Sequence, residues 1–452
     1  MEEDIAWTHH IFEVAVDAKH KVLFNMLTGA IDIVNNSLYE KIKTKGIKNI
    51  EIDKFIERGY CFHSKYALQN TEYKIQHLIQ QRESKTLYKF VIIPNYTCNF
   101  ACDYCYEMDA TTLDKKMSSD DLGIIFQIIE NIISERKKSA SITLMGGEPL
   151  LPTNFDIVDA VLKFASSNGL KVVVITNGGT LTEYILEFVK YSNFIAEIQV
   201  TLDGMEKIHD LRRPFRDGRK SFSLIMEGID KAIKNNLNIS IRINLDKRNV
   251  NYIHQLTNFL LIQPWSNSSR VTPYFYPMSD GGCLGNKYIV EEAVIFRRLL
   301  KKLVHADISK LNWFGFQFHG IPKFIQALKS KYTPCLKYCD ATMNQYVFDP
   351  FGYIYKCWFG VRNPEEFAVG RYKPQFIIDR TKEMLWYRRS GVNLPKCRQC
   401  KFLYICGGGC AEKAWEQHKS FLLPKCPDFK GLLSIYTKFI WHKTLHSHNF
   451  RV

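Results

Sequence analysis

The stretch NYTCNFACDYCYE, residues 95–107, places three cysteines on one loop, at a spacing of three residues and then two. It follows the apolar run YKFVIIPN, which is typical of a parallel strand buried on both faces. A loop in this position lets Cys98, Cys102 and Cys105 point at one centre. A structural zinc site would need a fourth protein ligand, which the neighbouring sequence lacks, and a reactive-thiol cluster is a further alternative. We favour an iron–sulfur cube, because three thiolates leave one iron open to a small molecule.

The composition indicates a large chain that stays in the cytoplasm. It has 452 residues, 46% of them hydrophobic, which suggests two or three domains with real cores. We find no run of about 18 apolar residues and therefore predict no membrane span. The start, MEEDIAWTHH, lacks the features of a secretory signal. In such a chain 13 cysteines point to metal or redox chemistry rather than to disulfides.

The net charge of +15 has two interpretations. It is either a solvated surface with spare lysine or the counterpart of an anionic partner such as an acidic peptide. The sequence shows no zinc-finger, helix-turn-helix or RNP-type signature beside the charge. We therefore expect no nucleic-acid partner.

Strands and helices alternate from residue 88 onward. Six apolar runs, each followed by a helical pattern, predict parallel strands joined by right-handed crossovers: YKFVIIPN, SITLMGG, KVVVITNGG, IAEIQVTLDG, NISIRINLD and SSRVTPYFYPM. Six units are too few for a closed eight-fold barrel, so the predicted fold is α/β, with a partial (β/α)6 TIM-like barrel over residues 88–330. In such folds the chemistry lies at the carboxyl ends of the strands.

Two further segments flank the predicted barrel. Residues 1–87 read as a small N-terminal α/β lead-in of short strands followed by helices. Residues 331–452 lack regular alternation and hold eight of the 13 cysteines. We therefore predict a C-terminal cysteine-rich domain that is stapled by metal.

The cysteine motif C-x3-C-x2-C, with the aromatic Tyr104 before its last cysteine, resembles the signature of the radical S-adenosylmethionine (radical SAM) enzymes. In that family the open iron of a [4Fe-4S] cluster binds the amino and carboxylate groups of S-adenosylmethionine. One electron then cleaves the sulfonium, and the resulting 5′-deoxyadenosyl radical abstracts a substrate hydrogen. The resemblance implies a cluster on Cys98, Cys102 and Cys105. It also implies an external one-electron donor such as flavodoxin or ferredoxin.

Four strand-end motifs extend this resemblance: GGEPLL at 146–151, TNG at 176–178, QVTLDGMEKIHDLRRP at 199–214 and IRIN at 241–244. Glycines at the first of these would let backbone polar groups approach the cofactor closely. By resemblance, the S-adenosylmethionine contacts are Tyr104, Gly146, Gly147, Glu148, Pro149, Thr176, Asn177, Thr201, Arg213 and Arg242.

The C-terminal segment resembles the seven-cysteine SPASM extension of radical SAM enzymes, with every spacing in place. The resemblance implies two auxiliary [4Fe-4S] clusters and therefore three clusters in all. Their ligand sets would be Cys335, Cys339, Cys357 and Cys410 for one, and Cys397, Cys400, Cys406 and Cys426 for the other. Cys335 lies outside the seven, and if it does not bind, one iron is open to substrate. A pair of structural zinc sites is the alternative, since an all-cysteine shell suits either metal.

SPASM enzymes act mostly on peptides or proteins, and two subgroups compete here. Sulfatase-maturating enzymes, which form formylglycine, usually carry an aspartate directly after the cysteine that corresponds to Cys357, as their proposed base. This chain has Trp358 there, and an indole cannot accept a proton. The KCW context and the strand-rich lead-in look more like maturases of ribosomally made peptides.

The resulting hypothesis is a radical SAM/SPASM oxidoreductase that installs a thioether or carbon–carbon crosslink in a precursor peptide. The lead-in would bind the leader by strand addition, and the positive charge of the chain would suit an acidic leader. The alternatives are an anaerobic sulfatase-maturating enzyme and a non-catalytic metal-bound scaffold or electron carrier. The sequence identifies no catalytic base.

Overall fold

A computed structural model describes residues 5–45, 50–107, 114–136, 139–278, 288–304, 306 and 308–446. The chain forms two compact units. Unit 1 comprises Met1–Thr86, Phe318–Met343 and Tyr387–Val452, and unit 2 comprises Leu87–Gln317 and Asn344–Trp386.

The strands in the described part of the chain are short, and the longest have seven residues. In chain order they are β1 (Ala6–Trp7), β2 (Ile11–Ala15), β3 (His20–Asn25), β4 (Ile31–Asn35), β5 (Cys61–Phe62), β6 (Tyr88–Ile92), β7 (Ala140–Leu144), β8 (Lys171–Ile175), β9 (Ile195–Thr201), β10 (Ile239–Leu245), β11 (Val271–Pro277), β12 (Gly315–Phe316), β13 (Gln345–Phe348), β14 (Tyr353–Tyr355), β15 (Ala368–Arg371) and β16 (Ile377–Ile378).

The helices of the described residues range from single turns to twenty residues. In chain order they are α1 (Asn36–Lys45), α2 (Ile50–Glu57), α3 (Lys65–Ser84), α4 (Ser119–Arg136), α5 (Phe155–Ser167), α6 (Leu181–Lys190), α7 (Glu206–Arg212), α8 (Phe222–Lys234), α9 (Ile253–Leu261), α10 (Glu292–Lys302), α11 (Ile308–Leu311), α12 (Ile321–Leu328), α13 (Pro364–Phe367), α14 (Arg380–Arg388), α15 (Pro395–Arg398), α16 (Leu403–Cys406), α17 (Ala411–His418) and α18 (Phe429–His446).

Unit 2 is built on one eleven-stranded sheet with the order β12-β11-β10-β9-β8-β7-β6-β13-β14-β15-β16. Strands β6 to β12 run parallel to their neighbours. The α/β class and the six predicted parallel strands are therefore confirmed, and the short β12 adds a seventh. The sheet does not close in this order, which agrees with a partial barrel.

Apolar side chains explain why these strands form the centre of unit 2. Val172 and Val174 on β8 and Ile198 and Val200 on β9 are all fully buried. Continuous burial of this kind is typical of parallel strands that are covered by helices. The crossover helices turn one apolar face inward: on α8, for example, the buried positions recur at helical spacing. This arrangement leaves the loops at the carboxyl ends of the strands free to carry polar residues.

The lead-in of unit 1 contains a three-stranded antiparallel sheet with the order β2-β3-β4. Its central strand, β3, buries Leu23 and Phe24 completely, and Leu23 packs in a cluster with Tyr39 and Tyr60. The tight turn before β4 contains Gly29, whose φ of 86° favours glycine. The predicted strands followed by helices are present here. The sequence also predicts that the first helix ends at Gly46, which lies outside the described residues.

One feature of unit 2 was not predicted from the sequence. Strand β13 pairs in parallel with β6, and β14, β15 and β16 extend the sheet in antiparallel order. These strands come from the cysteine-rich segment, and they have only two to four residues each. Strands of this length carry too few side chains to show an alternating pattern.

The compact units also divide the chain differently from the expected domains. The unit boundary at residues 86 and 87 lies close to the predicted end of the lead-in, whereas residues 331–452 are shared between the two units. A domain is defined by independent folding, so the boundaries 1–87, 88–330 and 331–452 remain predictions. In the described part of the chain, no helix has the length and apolar character needed to cross a bilayer.

Candidate active site

A cavity of about 260 Å³ lies in unit 2, at the carboxyl ends of the parallel strands. Cys98, Cys102 and Cys105 all line it, so the structure brings the three predicted thiols to one space. None of them forms a disulfide. Burial raises the pKa of the Cys98 thiol to about 12, with a smaller contribution from the charge of Glu148.

The spacing of these thiols favours a multi-iron cluster over a single ion. Two sulfur ligands of one zinc ion would lie about 3.8 Å apart, from a Zn–S distance of about 2.3 Å and tetrahedral angles. Among the described residues, the group whose ligand atoms all lie within 4.8 Å of one another is His9, His10 and Glu72. The three cavity thiols are therefore set wider than the ligands of one ion. A cluster that offers a different iron to each thiolate fits this spacing.

The loop after β7 packs tightly under the cysteine loop. Gly146 and Gly147 both line the cavity. Gly146 has a φ of 115°, which side-chain-bearing residues rarely adopt. A Cβ on Gly147 would lie 2.3 Å from the carbonyl oxygens of Tyr96 and Thr97. Glycine is thus required for this close approach of the two backbones.

The buried Glu148 carboxylate joins two strand ends. It accepts hydrogen bonds from Thr176 Oγ1 at 2.6 Å, from the Asn177 backbone N–H at 2.7 Å and from the Leu150 N–H at 2.8 Å. Burial raises the pKa of Glu148, although these hydrogen bonds oppose the rise. Thr176 and Asn177 line the cavity. Glu148 therefore orients both residues from behind the cavity wall.

Tyr104 anchors the cysteine loop to the region after β9. Its hydroxyl donates to Asp203 and accepts from Arg213 Nη1 at 2.6 Å. Thr201 and Arg213 line the cavity. The adjacent Arg212 is instead held in a buried ion pair with Asp203 at 3.3 Å. Of the two neighbouring arginines, only Arg213 therefore faces the cavity.

Arg242 enters the cavity from β10. Its guanidinium lies 3.9 Å from the centre of the Tyr276 ring, and its Nε donates to Asn244 Oδ1 at 2.8 Å. Both of these partners line the cavity too. Of the ten predicted contact residues, Glu148 and Pro149 lie outside the lining.

Several lining residues were not predicted as site residues, and most of them are apolar or aromatic. They are Tyr106, Glu107, Met145, Ile175, Gln199, Asn244, Tyr276, Met278, Ile289, Trp358 and Phe359. Glu107 is buried, and its Oε1 has no hydrogen-bond partner among the described residues. The Tyr106 and Phe359 rings lie 4.8 Å apart. These residues follow no periodic pattern, and only their position beside the motif cysteines could have indicated them.

The auxiliary cysteines divide between the units. Cys357 belongs to unit 2, and the other seven belong to unit 1. Burial raises the pKa of Cys397 to about 11, with smaller contributions from Cys400 and Cys426. Burial also raises the pKa of Cys339 to about 12, and Cys410 contributes. The structure therefore brings together members of each predicted set.

Cys335 and Cys406 interact electrostatically across the predicted sets. Burial raises the pKa of Cys406 to about 12, and the charges of Cys335, Cys397 and Cys400 add to this effect. Cys335 thus interacts with a member of the other predicted set. The assignment of Cys335 to the set with Cys339 remains a prediction.

Comparison with known proteins identifies the class of this site. Residues 92–260 match the model of the Radical SAM superfamily, and this match covers the cysteine loop and the ends of the following four strands. The matched part of the chain is therefore a radical SAM domain. The family implies a [4Fe-4S] cluster and S-adenosylmethionine, which the three cavity thiols fit.

Individual proteins with a similar sequence are about one quarter identical to this chain. The serine-type anaerobic sulfatase-maturating enzyme of Bacteroides thetaiotaomicron is 25% identical over 375 residues, which are 74% of this chain and 84% of that protein. The cysteine-type enzyme of Clostridium novyi is 23% identical over 346 residues, which are 72% of this chain and 88% of that protein.

Two solved structures share the fold. Native anSMEcpe with bound AdoMet has a TM-score of 0.60 at 17% identity, and the match covers 80% of this chain and all of that one (100%). Streptococcus suis SuiB bound to precursor peptide SuiA has a TM-score of 0.51 at 15% identity, and the match covers 93% of this chain and 99% of that one.

Proposed function

We propose that this protein is a radical SAM/SPASM peptide maturase that forms a thioether or carbon–carbon crosslink in a ribosomally made precursor peptide. The observation that carries the proposal is the aromatic wall formed by Trp358 and Phe359, which line the cavity directly after Cys357. A sulfatase-maturating enzyme is expected to offer a carboxylate in the place of Trp358. An indole has no lone pair that can accept a proton, so this wall favours packing of a substrate side chain over formylglycine chemistry.

The proposed cofactor contacts follow from the cavity lining. Cys98, Cys102 and Cys105 would hold the [4Fe-4S] cluster. When bound, the cluster and S-adenosylmethionine supply a 5′-deoxyadenosyl radical that abstracts hydrogen. The remaining contacts are Tyr104, Gly146, Gly147, Thr176, Asn177, Thr201, Arg213 and Arg242, with Glu148 and Pro149 supporting them from outside the lining.

The proposal also includes two auxiliary clusters, and therefore three in all. Their ligands would be Cys335, Cys339, Cys357 and Cys410 in one set, and Cys397, Cys400, Cys406 and Cys426 in the other. Forming a crosslink removes electrons from the peptide, and clusters in this region could receive them. Among the described residues, no three auxiliary thiols have sulfur atoms that all lie within 4.8 Å of one another. The ligands of a single zinc ion would lie closer together, so this spacing supports clusters over a pair of zinc sites.

The proposed partner is a precursor peptide with an acidic leader. Strands β2 and β4 each pair with β3 along one edge only in the described residues, so their outer edges present backbone groups to an added strand. The net charge of +15 suits an acidic leader. SuiB, whose structure was solved with its precursor peptide, shares the fold over 93% of this chain. An external one-electron donor such as flavodoxin or ferredoxin would reduce the cluster.

Sulfatase maturation is the second candidate function. It is favoured by the two sulfatase-maturating relatives and by one residue of the cavity. Glu107 is a buried carboxylate in the lining, and its Oε1 has no hydrogen-bond partner in the described part of the chain, so it could take the place of the missing aspartate. The two candidates share the radical step and differ in the substrate and in the product.

Product analysis separates the candidates. The anaerobically reconstituted enzyme is incubated with S-adenosylmethionine and a reductant, together with either the peptide encoded beside its gene or a sulfatase-derived peptide containing Cys or Ser. Both crosslinking and serine oxidation remove about two hydrogens from the peptide. Each product is therefore also treated with an aldehyde-reactive hydrazine, because formylglycine has an aldehyde and a crosslink does not.

The maturase proposal predicts a peptide that is lighter by about two hydrogens, unreactive toward the hydrazine and linked between two residues in its fragment spectrum. A hydrazine-reactive product from the sulfatase peptide alone would instead establish the second candidate. If 5′-deoxyadenosine does not form with either peptide, the chain is the non-catalytic scaffold.

A further inference from the structure

A group of three metal-ligating side chains lies in unit 1, in a part of the chain that the proposed function does not use. His9 and His10 occupy the connection between β1 and β2, and Glu72 projects from α3. The imidazole nitrogens and the carboxylate oxygen all lie within 4.8 Å of one another. His10 is buried and His9 is exposed, so the group reaches the surface.

Hydrogen bonding fixes the orientation of the His10 ring. Its Nδ1 lies 3.1 Å from the backbone oxygen of Lys401. A carbonyl oxygen can only accept, so Nδ1 donates and Nε2 carries the lone pair. Metal-binding histidines are typically oriented in this way, with one nitrogen donating to a carbonyl and the other facing the ion.

The side chains of His10 and Glu72 lie close together, but no hydrogen bond joins them. His10 Nε2 lies 3.6 Å from Glu72 Oε1, which is too long for a hydrogen bond. Glu72 Oε1 is buried and has no hydrogen-bond partner among the described residues. Two acceptors thus face each other in a place where water is largely excluded.

A cation between these two atoms would satisfy both. Ligand atoms that are each about 2.1 Å from a tetrahedral zinc ion lie about 3.4 Å apart. The observed separation of 3.6 Å is close to that value. A ring nitrogen of His9 lies within 4.8 Å of both atoms and supplies the third ligand. Three protein ligands would leave a fourth position for water.

We propose that His9, His10 and Glu72 form a binding site for a divalent transition-metal ion, with zinc as the best-suited ion. The bound ion would pin the connection between β1 and β2 to α3 and thereby stabilise the lead-in. The site does not depend on the radical chemistry proposed above. It is separate from the cluster cysteines, and no ligand is shared with them.

Zinc binding by matched variants tests the site. Anaerobically reconstituted protein is washed with a weak chelator, dialysed against buffered zinc and analysed for bound zinc. The test variants are Glu72→Gln and His9→Ala, the second of which removes an exposed ring and should leave the fold intact. The control variants are Glu57→Gln and His77→Ala, which remove exposed groups outside the site. All variants keep every cysteine, so any zinc that binds to thiols is the same in each protein and does not affect the comparison.

The wild-type protein and both controls are expected to bind about one zinc more than the test variants, whose affinity should fall at least about tenfold. Zinc should also raise the melting temperature of the wild type and the controls, and of neither test variant. Equal zinc content in all five proteins would overturn the proposal. Neither result depends on turnover, so the test is distinct from that of the proposed function.

Discussion

Replacing Gly147 by alanine tests how closely the β7 loop supports the cysteine loop. The added methyl would lie 2.3 Å from the carbonyl oxygens of Tyr96 and Thr97 and 2.5 Å from the Tyr96 carbonyl carbon. Ordinary contact begins at 3.4 Å, so the two backbones must separate by about 1.1 Å. The obstructing atoms belong to the backbone and cannot rotate away as a side chain could. The displaced segment leads directly to Cys98.

The energetic cost follows from this overlap. Overpacking of a well-packed region costs about 1–3 kcal/mol, and a contact with rigid backbone belongs at the upper end, near 3 kcal/mol. A loss of that size leaves most chains folded, because total stability is about 5–15 kcal/mol. The chemistry is more sensitive, since a displacement of about 1 Å can lower a rate by about 100-fold. We therefore expect a folded Gly147→Ala protein whose formation of 5′-deoxyadenosine is at least about 100-fold slower.

Gly123→Ala is the matched control. Gly123 lies exposed on α4, and a Cβ there would meet no atom within 4 Å. Alanine favours the helix by about 1 kcal/mol, so this variant should be slightly more stable and fully active. Iron and sulfide content, circular dichroism and 5′-deoxyadenosine formation are measured for both variants. If the protein holds the three proposed clusters and Gly147→Ala loses only the cluster on the cysteine loop, this variant should keep about two thirds of the iron. Wild-type rates in Gly147→Ala would refute the steric argument.

Three further changes test other parts of the account. Arg389→Lys should lower the free energy of unfolding in urea by about 3 kcal/mol and should also lower the iron content. The reason is that the buried guanidinium donates to several carbonyls, including those of Gly408 and Leu423. An unchanged urea midpoint would contradict this. Glu148→Ala should lower the free energy of unfolding by about 3 kcal/mol or more, because it leaves three buried donors without an acceptor. Glu148→Gln should lower it by about half as much, because one acceptor oxygen remains. Equal losses in the two variants would argue against the hydrogen bonds. Burial raises the pKa of Asp349 from 3.8 to about 6, so the folded state holds the proton more tightly than the unfolded state. The free energy of unfolding should therefore fall by about 2 kcal/mol as the pH rises from 4 to 6. Asp349→Asn should lose this pH dependence, and retention of the full slope would assign it to another group.

The central fold could be predicted because its signals are local. Each parallel strand is a continuous apolar run, and each crossover helix has one apolar face, so order and direction follow from the alternation. The site loops then follow from topology, since polar motifs at the ends of adjacent parallel strands must meet at one edge. The cavity is lined by Cys98 and Thr176 from two such loops and by Arg242 from strand β10.

The remaining features depend on contacts between distant residues. Strands β13 to β16 are too short to carry a pattern, and β13 is recognisable only by its pairing with β6. Arg212 and Arg213 are adjacent in the sequence, which does not show which of them faces the cavity. The structure distinguishes them, because Arg212 is held in an ion pair with Asp203. Glu72 lies far along the chain from His9, so no spacing rule could have joined them. Packing decides such contacts, and packing leaves little trace in a single sequence.

The metal content of the cysteine loop tests the central claim most directly. Wild-type protein and the variant combining Cys98→Ala, Cys102→Ala and Cys105→Ala are purified without oxygen, and iron, zinc, sulfide and 5′-deoxyadenosine formation are measured. The account predicts iron and acid-labile sulfide in both proteins, less of each in the variant, and cleavage of S-adenosylmethionine by the wild type alone. Zinc without sulfide in the wild type, or equal cleavage by both proteins, would contradict it.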